Sequence, residues 1–207
     1  MLRKQQSKLI SKRRTNNPAE MKRIHVIGQG GAGKTSLAAE VSARLGIPHI
    51  ELDSVFWYEN WQQSPPGKFE SQVAEVVAGD AWVLDGNYRR ARPIIWPRVE
   101  TVVWLDYPLL VCLWRLFWRT IGRIINGEML WGTNQETFSK AFFSKESLFL
   151  YVIKGNKQRR ETYTQLMADP ANAGINFVRL RFPSETRRWL EEVSASTGRS
   201  VGRHNNG

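Results

Sequence analysis

A glycine-rich run of eight residues, Gly28 to Thr35, constrains this chain more than any other feature. Its spacing matches the pattern G-x-x-x-x-G-K-[ST], with further glycines inside it. Glycines leave backbone N–H groups free to wrap an anion, and a helix beginning at Lys34 adds the positive end of its dipole. The β-rich residues 23–27 precede the run directly. The sequence therefore predicts a strand, a phosphate-binding loop and a helix, in that order.

This loop is typical of proteins that bind a nucleoside triphosphate. Lys34 is expected to reach the β- and γ-phosphates, and Thr35 to hold Mg²⁺. We therefore expect ATP and Mg²⁺ as ligands. An ordinary glycine-rich turn is disfavoured, because the motif lies between a predicted strand and a predicted helix. The expected nucleotide-binding residues are consecutive: Gly28, Gln29, Gly30, Gly31, Ala32, Gly33, Lys34, Thr35 and Ser36.

Alternating strand and helix patterns continue along the chain. The apolar, β-rich segments that follow the first strand are 49–52, 82–84, 101–105 and 176–181, and the segments typical of helices are 34–45, 68–78, 109–125, 148–167 and 184–193. Such alternation favours a parallel sheet covered by helices on both faces. We predict a three-layer α/β fold of the P-loop NTPase type, with a mostly parallel five-stranded sheet. One domain of this kind would span residues 21–194.

The charge of the chain is concentrated at its start. The net charge of the 207 residues is +11, and residues 1–20 hold six Lys or Arg and one acid. Charge runs at termini are typical of disordered tails, so we expect residues 1–20 to form a basic disordered tail. Contact of this arm with nucleic acid is an alternative that we do not favour. The Gly-, Ser- and Asn-rich residues 195–207 are expected to form a second disordered tail.

Cysteine content and hydropathy bear on the compartment. Cys112 is the single cysteine of the chain, so no internal disulfide can form, and its apolar surroundings predict a buried thiol. The most apolar window, residues 99–118, is interrupted by charged residues and proline, which argues against a membrane span. We expect a cytoplasmic monomer that does not enter a membrane.

Two carboxylates follow predicted strands at the sheet edge that would hold the phosphates. Asp85 can bind Mg²⁺ directly or through water, although a turn or helix cap is the alternative. Asp53 can accept a proton from an attacking hydroxyl or orient it, with an N-cap as its alternative. The aromatic residues 56–61, which include Trp57, can form the pocket around an acceptor. Asp106 follows a third strand, where an Asx-type turn or N-cap is an equal alternative. The histidines lack metal-ligand spacing, and none is assigned a catalytic role.

Phosphoryl transfer also needs cations on the group that is transferred. Arg115, Arg119 and Arg123 are spaced by four, so they lie on one face of the predicted helix. Arg159 and Arg160 follow on a later helix. A solvated basic face is the alternative interpretation of these arginines.

Several segments in order resemble the nucleoside-monophosphate-kinase-like P-loop proteins, and among them the adenylate-kinase-related group of DNA topology modulation proteins. The resemblance covers roughly residues 21–193. Its segments are the loop at 28–35, residues 46–53 with Trp57, the run Trp-Val-Leu-Asp-Gly-Asn-Tyr at 82–88, the run Val-Trp-Leu-Asp-Tyr-Pro at 103–108, and the arginine-bearing helix at 112–123.

This resemblance implies an acceptor-binding insertion after the second strand and a mobile lid after the fourth, about residues 124–157. It implies that Asp85 belongs to the metal site and Arg89 to the acceptor phosphate. The lid arginines of such kinases correspond in kind to Arg119 and Arg123, with Arg159 or Arg160 returning from the far side. Asp53 resembles the substrate carboxylate of shikimate- and gluconate-type kinases, with Trp57 beside it.

These patterns favour an ATP-dependent phosphotransferase that acts on a nucleotide or a small hydroxy compound. Its expected catalytic residues are Lys34, Asp53, Arg119, Arg123 and Arg160. Asp53, Trp57 and Arg89 are expected to bind the acceptor, and Thr35 and Asp85 the metal. The alternative is an ATP-binding regulatory protein that affects DNA topology with little or no kinase activity. A GTPase is disfavoured, because no Asn-Lys-x-Asp guanine-reading motif is present.

Overall fold

The structure, a computed structural model, describes residues 21–127, 129–130, 134–135 and 148–201. The predicted basic tail at residues 1–20 lies outside the described residues, and so do residues 128, 131–133 and 136–147 of the predicted lid at about 124–157.

Five strands form one parallel sheet, in which residues 49–51, 82–85, 23–28, 101–105 and 176–180 lie side by side in that order. A short antiparallel pair, which the sequence pattern did not predict, stands apart from it. The strands are β1 (Arg23–Gly28), β2 (His49–Glu51), β3 (Trp82–Asp85), β4 (Thr101–Leu105), the pair β5 (Met129–Leu130) and β6 (Asn134–Gln135), and β7 (Asn176–Leu180). The predicted five-stranded sheet is thus confirmed, and all its pairings are parallel.

Seven helices alternate with these strands in the described part of the chain. They are α1 (Lys34–Leu45), α2 (Leu52–Phe56), α3 (Lys68–Val77), α4 (Arg92–Ile95), α5 (Leu109–Asn126), α6 (Leu148–Ala168) and α7 (Pro183–Val201), with short 3₁₀ turns at Glu59–Trp61 and Pro170–Asn172. The prediction missed α2 and α4. It also ended α7 at residue 193, whereas the helix continues to Val201, so residues 195–201 are helical and the prediction of a tail there is wrong.

Alternation along the strands divides the core into two clusters, one on each face of the sheet. In β3, for example, Trp82 and Leu84 face one cluster and Val83 faces the other. The first cluster is completed by α2, α3, α4 and α6, and the second by α1, α5 and α7. Fully buried Cys112 belongs to the second cluster, as the sequence predicted. The result is the predicted three-layer arrangement.

The register of the sheet brings the carboxyl ends of the strands to one edge. Asp85 pairs with Val26 in β1 and with Glu51 in β2, and Gly28 pairs with Leu105 in β4. The loops that follow β1, β2, β3 and β4 therefore open on a common edge, where ligands of open α/β sheets bind.

Tryptophan side chains are divided between the core and the surface. Trp82, Trp96, Trp104 and Trp189 are buried, whereas Trp114 and Trp118 on α5 are exposed. Apolar side chains do lie on the outer surface of α5, but no helix within the described ranges has the length and apolar character that crossing a membrane requires.

Candidate active site

The loop between β1 and α1 has the close packing that only glycine permits. Gly31 and Gly33 adopt φ values of +79° and +92°. A Cβ atom at Gly31 would overlap the carbonyl oxygen of Cys112, and one at Gly28 would lie 2.7 Å from the carbonyl oxygen of Leu105. Glycine is therefore required here both by the backbone conformation and by the neighbouring backbone.

The N-terminus of α1 is left free to bind an anion. Gly33 occupies its N-cap position, and no side chain of the described residues caps its first amides. Orphan amides and the helix dipole together attract negative charge. The Nζ atom of Lys34 folds back across the loop to lie 3.4 Å from the carbonyl oxygen of Gln29. These residues therefore fit a bound phosphate chain.

Lys34 lies among charged groups of both signs. Burial lowers the pKa of Lys34, the carboxylates of Asp53 and Asp85 oppose that shift, and the guanidinium of Arg119 adds to it. Lys34 is thus close enough to both predicted carboxylates to feel their charge.

Asp85 joins the phosphate-binding loop to β2. Its Oδ1 atom accepts a hydrogen bond of 3.1 Å from the hydroxyl of Thr35, and its Oδ2 atom lies 2.7 Å from Nε2 of His49. The carboxylate is buried. Mg²⁺ in nucleotide sites is typically held by one or two protein oxygens together with phosphates and water. Thr35 and Asp85 supply such a pair, so they fit the ion.

Asp53 lies in the first turn of α2, directly after β2. The N-cap of that helix is Glu51, so the N-cap alternative for Asp53 is wrong. Its Oδ1 atom accepts a hydrogen bond of 2.5 Å from the hydroxyl of Tyr88. Burial and the neighbouring Asp53 charge raise the pKa of Tyr88, so this hydroxyl remains a donor. The hydrogen bond fixes the carboxylate at the edge of the sheet.

Aromatic rings surround this carboxylate. Phe56 packs against Tyr88, with ring centres 4.5 Å apart, and also against Trp57, which is half-buried. Trp57 in turn contacts Trp61. Arg89 follows Tyr88 and is exposed. Of the three residues predicted to bind an acceptor, Asp53 and Trp57 are thus linked through Tyr88 and Phe56, and Arg89 is the next residue of the chain after Tyr88.

The arginines of α5 approach the phosphate-binding loop to different extents. The Nη1 atom of Arg115 donates a hydrogen bond of 3.1 Å to the carbonyl oxygen of Ala32. Arg119, one turn later, is close enough to lower the pKa of Lys34. Arg123 lies a further turn along the helix and is half-buried. Arg115 therefore touches the loop directly, although it was not among the predicted catalytic residues.

The two adjacent arginines of α6 have separate partners. Arg159 donates from Nε to the side-chain oxygen of Gln29 over 2.6 Å, while the amide of Gln29 donates to the carbonyl oxygen of Val152 over 2.5 Å. Arg160 instead pairs with Asp106, with its Nε atom 2.8 Å from Oδ1. In this arrangement it is Arg159 that contacts the phosphate-binding loop. Arg160 was predicted to be catalytic, but its guanidinium lies against Asp106, directly after β4.

Two residues at this edge were missed by the sequence analysis: His49 and Asn87. Asn87 bonds the backbone of Gly28 on both sides, accepting from its N–H over 3.1 Å and donating to its carbonyl oxygen over 2.5 Å. The signal for Asn87 was its place in the loop after β3, the strand beside β1. Nothing in the sequence pointed to His49, because its contact with Asp85 depends on the register in which β2 pairs with β3.

Comparison with known proteins agrees with this fold. No protein-family model matches the chain. The chain is 28% identical over 130 residues to the uncharacterized protein YqaC of Bacillus subtilis (strain 168), a match that covers 62% of this chain and 72% of that protein. A cytidylate kinase of Nitratidesulfovibrio vulgaris (strain Hildenborough) is 33% identical over 73 residues, which are 34% of this chain and 32% of that kinase. The adenylate kinase of Nocardia farcinica is 31% identical over 87 residues, or 32% of this chain and 48% of that enzyme. The chain thus matches less than half of either kinase.

Two solved structures show the same architecture over most of their length. The shikimate kinase of Bacteroides thetaiotaomicron has a TM-score of 0.54 and 16% identity, over 84% of this chain and 97% of the enzyme. The shikimate kinase of Acinetobacter baumannii, in complex with shikimate, has a TM-score of 0.51 and 14% identity, over 84% and 92%. The chain has the fold of the P-loop kinases.

Proposed function

We propose that this protein is an ATP-dependent phosphotransferase, which transfers the γ-phosphoryl group of ATP to a nucleotide or small hydroxy compound held beside Asp53. The phosphate chain would lie on the amides of residues 28–36. Thr35 and Asp85 would hold Mg²⁺, which would neutralise phosphate charge during transfer.

One observation carries this proposal. The pKa of Lys34 responds both to Asp85, which bonds the Thr35 hydroxyl, and to Asp53, which bonds the Tyr88 hydroxyl. A loop that only held a nucleotide would need the first of these carboxylates. The second, fixed by the Tyr88 hydroxyl near the same lysine, supports a place for an acceptor hydroxyl.

The chain's own residues would act by position and charge. Within the described residues no hydrogen bond reaches Oδ2 of Asp53, so this oxygen can accept the proton of the acceptor hydroxyl. The acceptor oxygen forms a bond to the γ-phosphorus as the bond to the β-γ bridging oxygen breaks. Lys34 and the nearby Arg119 compensate the negative charge on the transferred group. Arg123 and Arg160 would join them only after movement of α5 and α6.

The central experiment is phosphoryl transfer from γ-labelled ATP to a panel of nucleoside monophosphates, hydroxy acids and sugars. We expect label in at least one acceptor class. Asp53→Asn should reduce transfer at least a hundredfold while leaving the affinity for ATP within about threefold, because the carboxylate acts on the acceptor. Transfer that is unchanged in this variant would contradict the proposal.

Two further variants test the nucleotide side. Lys34→Ala should lose ATP affinity and turnover together, and ATP affinity equal to the wild type would contradict the P-loop assignment. Deletion of residues 1–20 should leave ATP binding intact, since every residue proposed to hold ATP or Mg²⁺ lies at position 28 or beyond.

The alternative is an ATP-binding regulatory protein that affects DNA topology. It is favoured if the full chain binds ATP tightly and labels no acceptor in the panel. The hydrogen bond between Tyr88 and Asp53 supports the phosphotransferase instead, because a regulator has no need of an oriented carboxylate close to Lys34.

A further inference from the structure

We propose that α5 and the first turns of α6 form a surface that docks on a lipid bilayer containing anionic lipids. The inference goes beyond the proposed function, because it concerns apolar side chains that no step of phosphoryl transfer uses. Such contact needs no spanning helix, since an amphipathic helix can lie in the plane of a bilayer with its apolar side among the lipids.

Exposed apolar side chains are concentrated in one stretch of the described chain. Among the described residues, all the exposed large apolar side chains except Phe182 lie between Leu110 and Ile153. Leu110 is 79% exposed, and Trp114 and Trp118 follow it on α5 at intervals of one turn. A contiguous apolar surface of this kind marks a site of interaction. We define the α5 surface as Leu110, Leu113, Trp114, Phe117 and Trp118, together with Phe149 of α6.

A groove between the two helices lies within the α5 surface. Its volume is about 610 Å³, and its lining by described residues is apolar throughout: Leu110, Leu113, Trp114 and Phe117 of α5 and Phe149 of α6. The opposite side of α5 carries Cys112, Leu116 and Thr120, which are buried. One side of the helix thus packs on the protein while another presents indole rings and aliphatic chains outward, as in helices that lie at a bilayer interface.

The charge around the α5 surface has one sign. Residues 107–127 and 148–160, which include α5 and the first part of α6, hold seven Arg or Lys and no acid. Arg115 and Arg160 are held by partners within the fold, whereas Lys154 and Lys157 are exposed on α6. A bilayer with anionic lipids attracts basic residues at its surface and accepts apolar side chains below it. This partner therefore complements both properties of the surface.

A second copy of this chain would fit the surface less well. In a symmetric pair both copies contribute the same surface. The basic residues of one copy would then lie opposite those of the other, and like charges that face each other oppose association. The charge of the surface therefore favours an anionic partner over self-association.

A single-stranded nucleic acid would use the charge of the surface but not its shape. Successive bases stack on the open faces of aromatic rings. Trp114 and Trp118 meet edge to face with their planes 77° apart, and Phe117 meets Trp118 at 83°. Leu110 has no ring on which a base could stack. Lipid chains accept aliphatic and aromatic side chains alike, so the bilayer is the partner that the geometry favours.

Co-sedimentation of the full chain with lipid vesicles tests the proposal. One set of vesicles is phosphatidylcholine alone, and the other mixes phosphatidylcholine with anionic phosphatidylglycerol at about three to one. We expect the partition coefficient to be at least about tenfold higher for the anionic vesicles, because several basic residues lie near the lipid. Raising the salt concentration to about 0.5 M should remove most of that difference by screening the charges.

Trp114→Gln tests the apolar part of the surface. It should lower the partition coefficient for anionic vesicles about tenfold, the factor expected when burial of a large apolar side chain is lost. The side chain is exposed, so the variant should fold, which urea denaturation would verify. Phe182→Gln is the matched control. Phe182 is also exposed but lies outside the two helices, so its variant should change partition less than twofold.

The double variant Lys154→Gln and Lys157→Gln tests the basic part. It should lower partition into anionic vesicles about tenfold and leave partition into neutral vesicles the same, because each lysine near an anionic surface contributes through its charge. The control is the double variant Lys22→Gln and Lys68→Gln, which removes the same charge from exposed positions outside the two helices. It should change partition less than twofold.

Failure to bind anionic vesicles would overturn the proposal, and so would equal losses in Trp114→Gln and Phe182→Gln. A dimer that Trp114→Gln dissociates, without vesicle binding, would assign the surface to a second copy instead. Binding of a thymidine oligonucleotide that this variant loses, again without vesicle binding, would assign it to nucleic acid. ATP affinity and label transfer should be the same in Trp114→Gln as in the wild type, so the vesicle result is independent of the proposed phosphotransferase.

Discussion

His49 Nε2 lies 2.7 Å from Oδ2 of Asp85, and the other oxygen of that carboxylate accepts a hydrogen bond from the Thr35 hydroxyl. One buried carboxylate thus connects β2 with the loop after β1. With one oxygen held by each neighbour, the plane of the carboxylate is fixed. His49 is not expected to touch a ligand, and it acts by orienting Asp85.

Replacing His49 should therefore weaken the metal-dependent part of nucleotide binding. His49→Leu removes the hydrogen bond, and loss of such an outer partner typically lowers metal affinity about tenfold or more. We expect ATP affinity in Mg²⁺ to fall by about that factor, while affinity in EDTA stays the same. Titration of a fluorescent ATP analogue in both buffers measures this. His49→Gln, which retains an N–H donor, should recover much of the loss, and equal loss in both buffers would contradict an orienting role.

Gly31 should tolerate no side chain. Gly31→Ala places Cβ against the backbone of Cys112 and 3.0 Å from Cβ of Leu116, at a φ of +79°. We expect a loss of about 3 kcal/mol in the free energy of unfolding, from overpacking added to left-handed strain. Urea denaturation would measure it.

Gly46 offers the control for that experiment. It has a φ of +65° and open space around its missing Cβ atom. Gly46→Ala should therefore cost only the strain, about 1 kcal/mol. Equal losses at the two positions would show that packing of α5 on the loop contributes nothing.

His25 should make stability depend on pH. Burial lowers its pKa from 6.5 to about 4, against the raising effects of the Gly86 carbonyl and Asp85, and Arg92 lowers it further. The ring lies 2.9 Å from the Gly86 oxygen and accepts from Trp96 at its other nitrogen, which suits the neutral form. The unfolded chain binds the proton more readily, so stability is complete above about pH 6.5 and is lost as pH falls towards 4.

The measurement compares wild type with His25→Gln by urea denaturation from pH 7 to pH 4. The stability advantage of the wild type should shrink over this range by on the order of 3 kcal/mol. Subtracting the variant removes the contributions of other titrating groups. A difference that does not change with pH would contradict a neutral buried His25.

Asp106 should contribute strongly to stability. Its buried carboxylate, at the end of β4, pairs with Arg179 of β7 over 2.6 Å and with Arg160 of α6 over 2.8 Å. Asp106→Asn leaves two guanidiniums without their counter-charge. Because both are partly exposed, we expect a loss of about 2 kcal/mol in the free energy of unfolding, below the range for a fully buried pair.

The exposed pair of Lys157 and Glu161 on α6 is the matched control. Its atoms lie 3.9 Å apart and its side chains are 90% and 58% exposed. Glu161→Gln should change stability by less than about 0.5 kcal/mol. A loss as small as this in Asp106→Asn would show that the buried carboxylate does not hold α6 to the sheet.

Much of this arrangement could be predicted because it depends on neighbours in sequence. The phosphate-binding loop is continuous, and Asp53 and Asp85 follow apolar runs that end at the same sheet edge. The short helices α2 and α4 were missed because four or five residues show no helical period. The end of α7 was misplaced because glycine and serine lower helix propensity without forbidding a helix.

The remaining contacts depend on the register of the strands and on the direction in which each side chain points from its helix. His49 meets Asp85 only because β2 pairs with β3 in one register. Arg159 and Arg160 are adjacent, yet consecutive helical residues point about 100° apart, so one reaches Gln29 and the other Asp106. Nothing in the linear pattern distinguishes the two. The same holds for Arg90 and Arg92, of which the first pairs with Glu70 and the second lies beside the rings of Trp96 and Tyr163.

The distribution of indole rings divides the tryptophan fluorescence of the protein into a part that solvent can reach and a part that it cannot. Trp114 and Trp118 are 63% and 53% exposed, with ring centres 5.5 Å apart, on the helix whose Arg115 touches the phosphate-binding loop. The four buried indoles lie in the two cores, away from solvent. Iodide in the solvent can therefore quench the emission of the α5 pair while the core emission persists. A rotation of α5 on ligand binding would change that quenching, so the movement can be followed without an added dye.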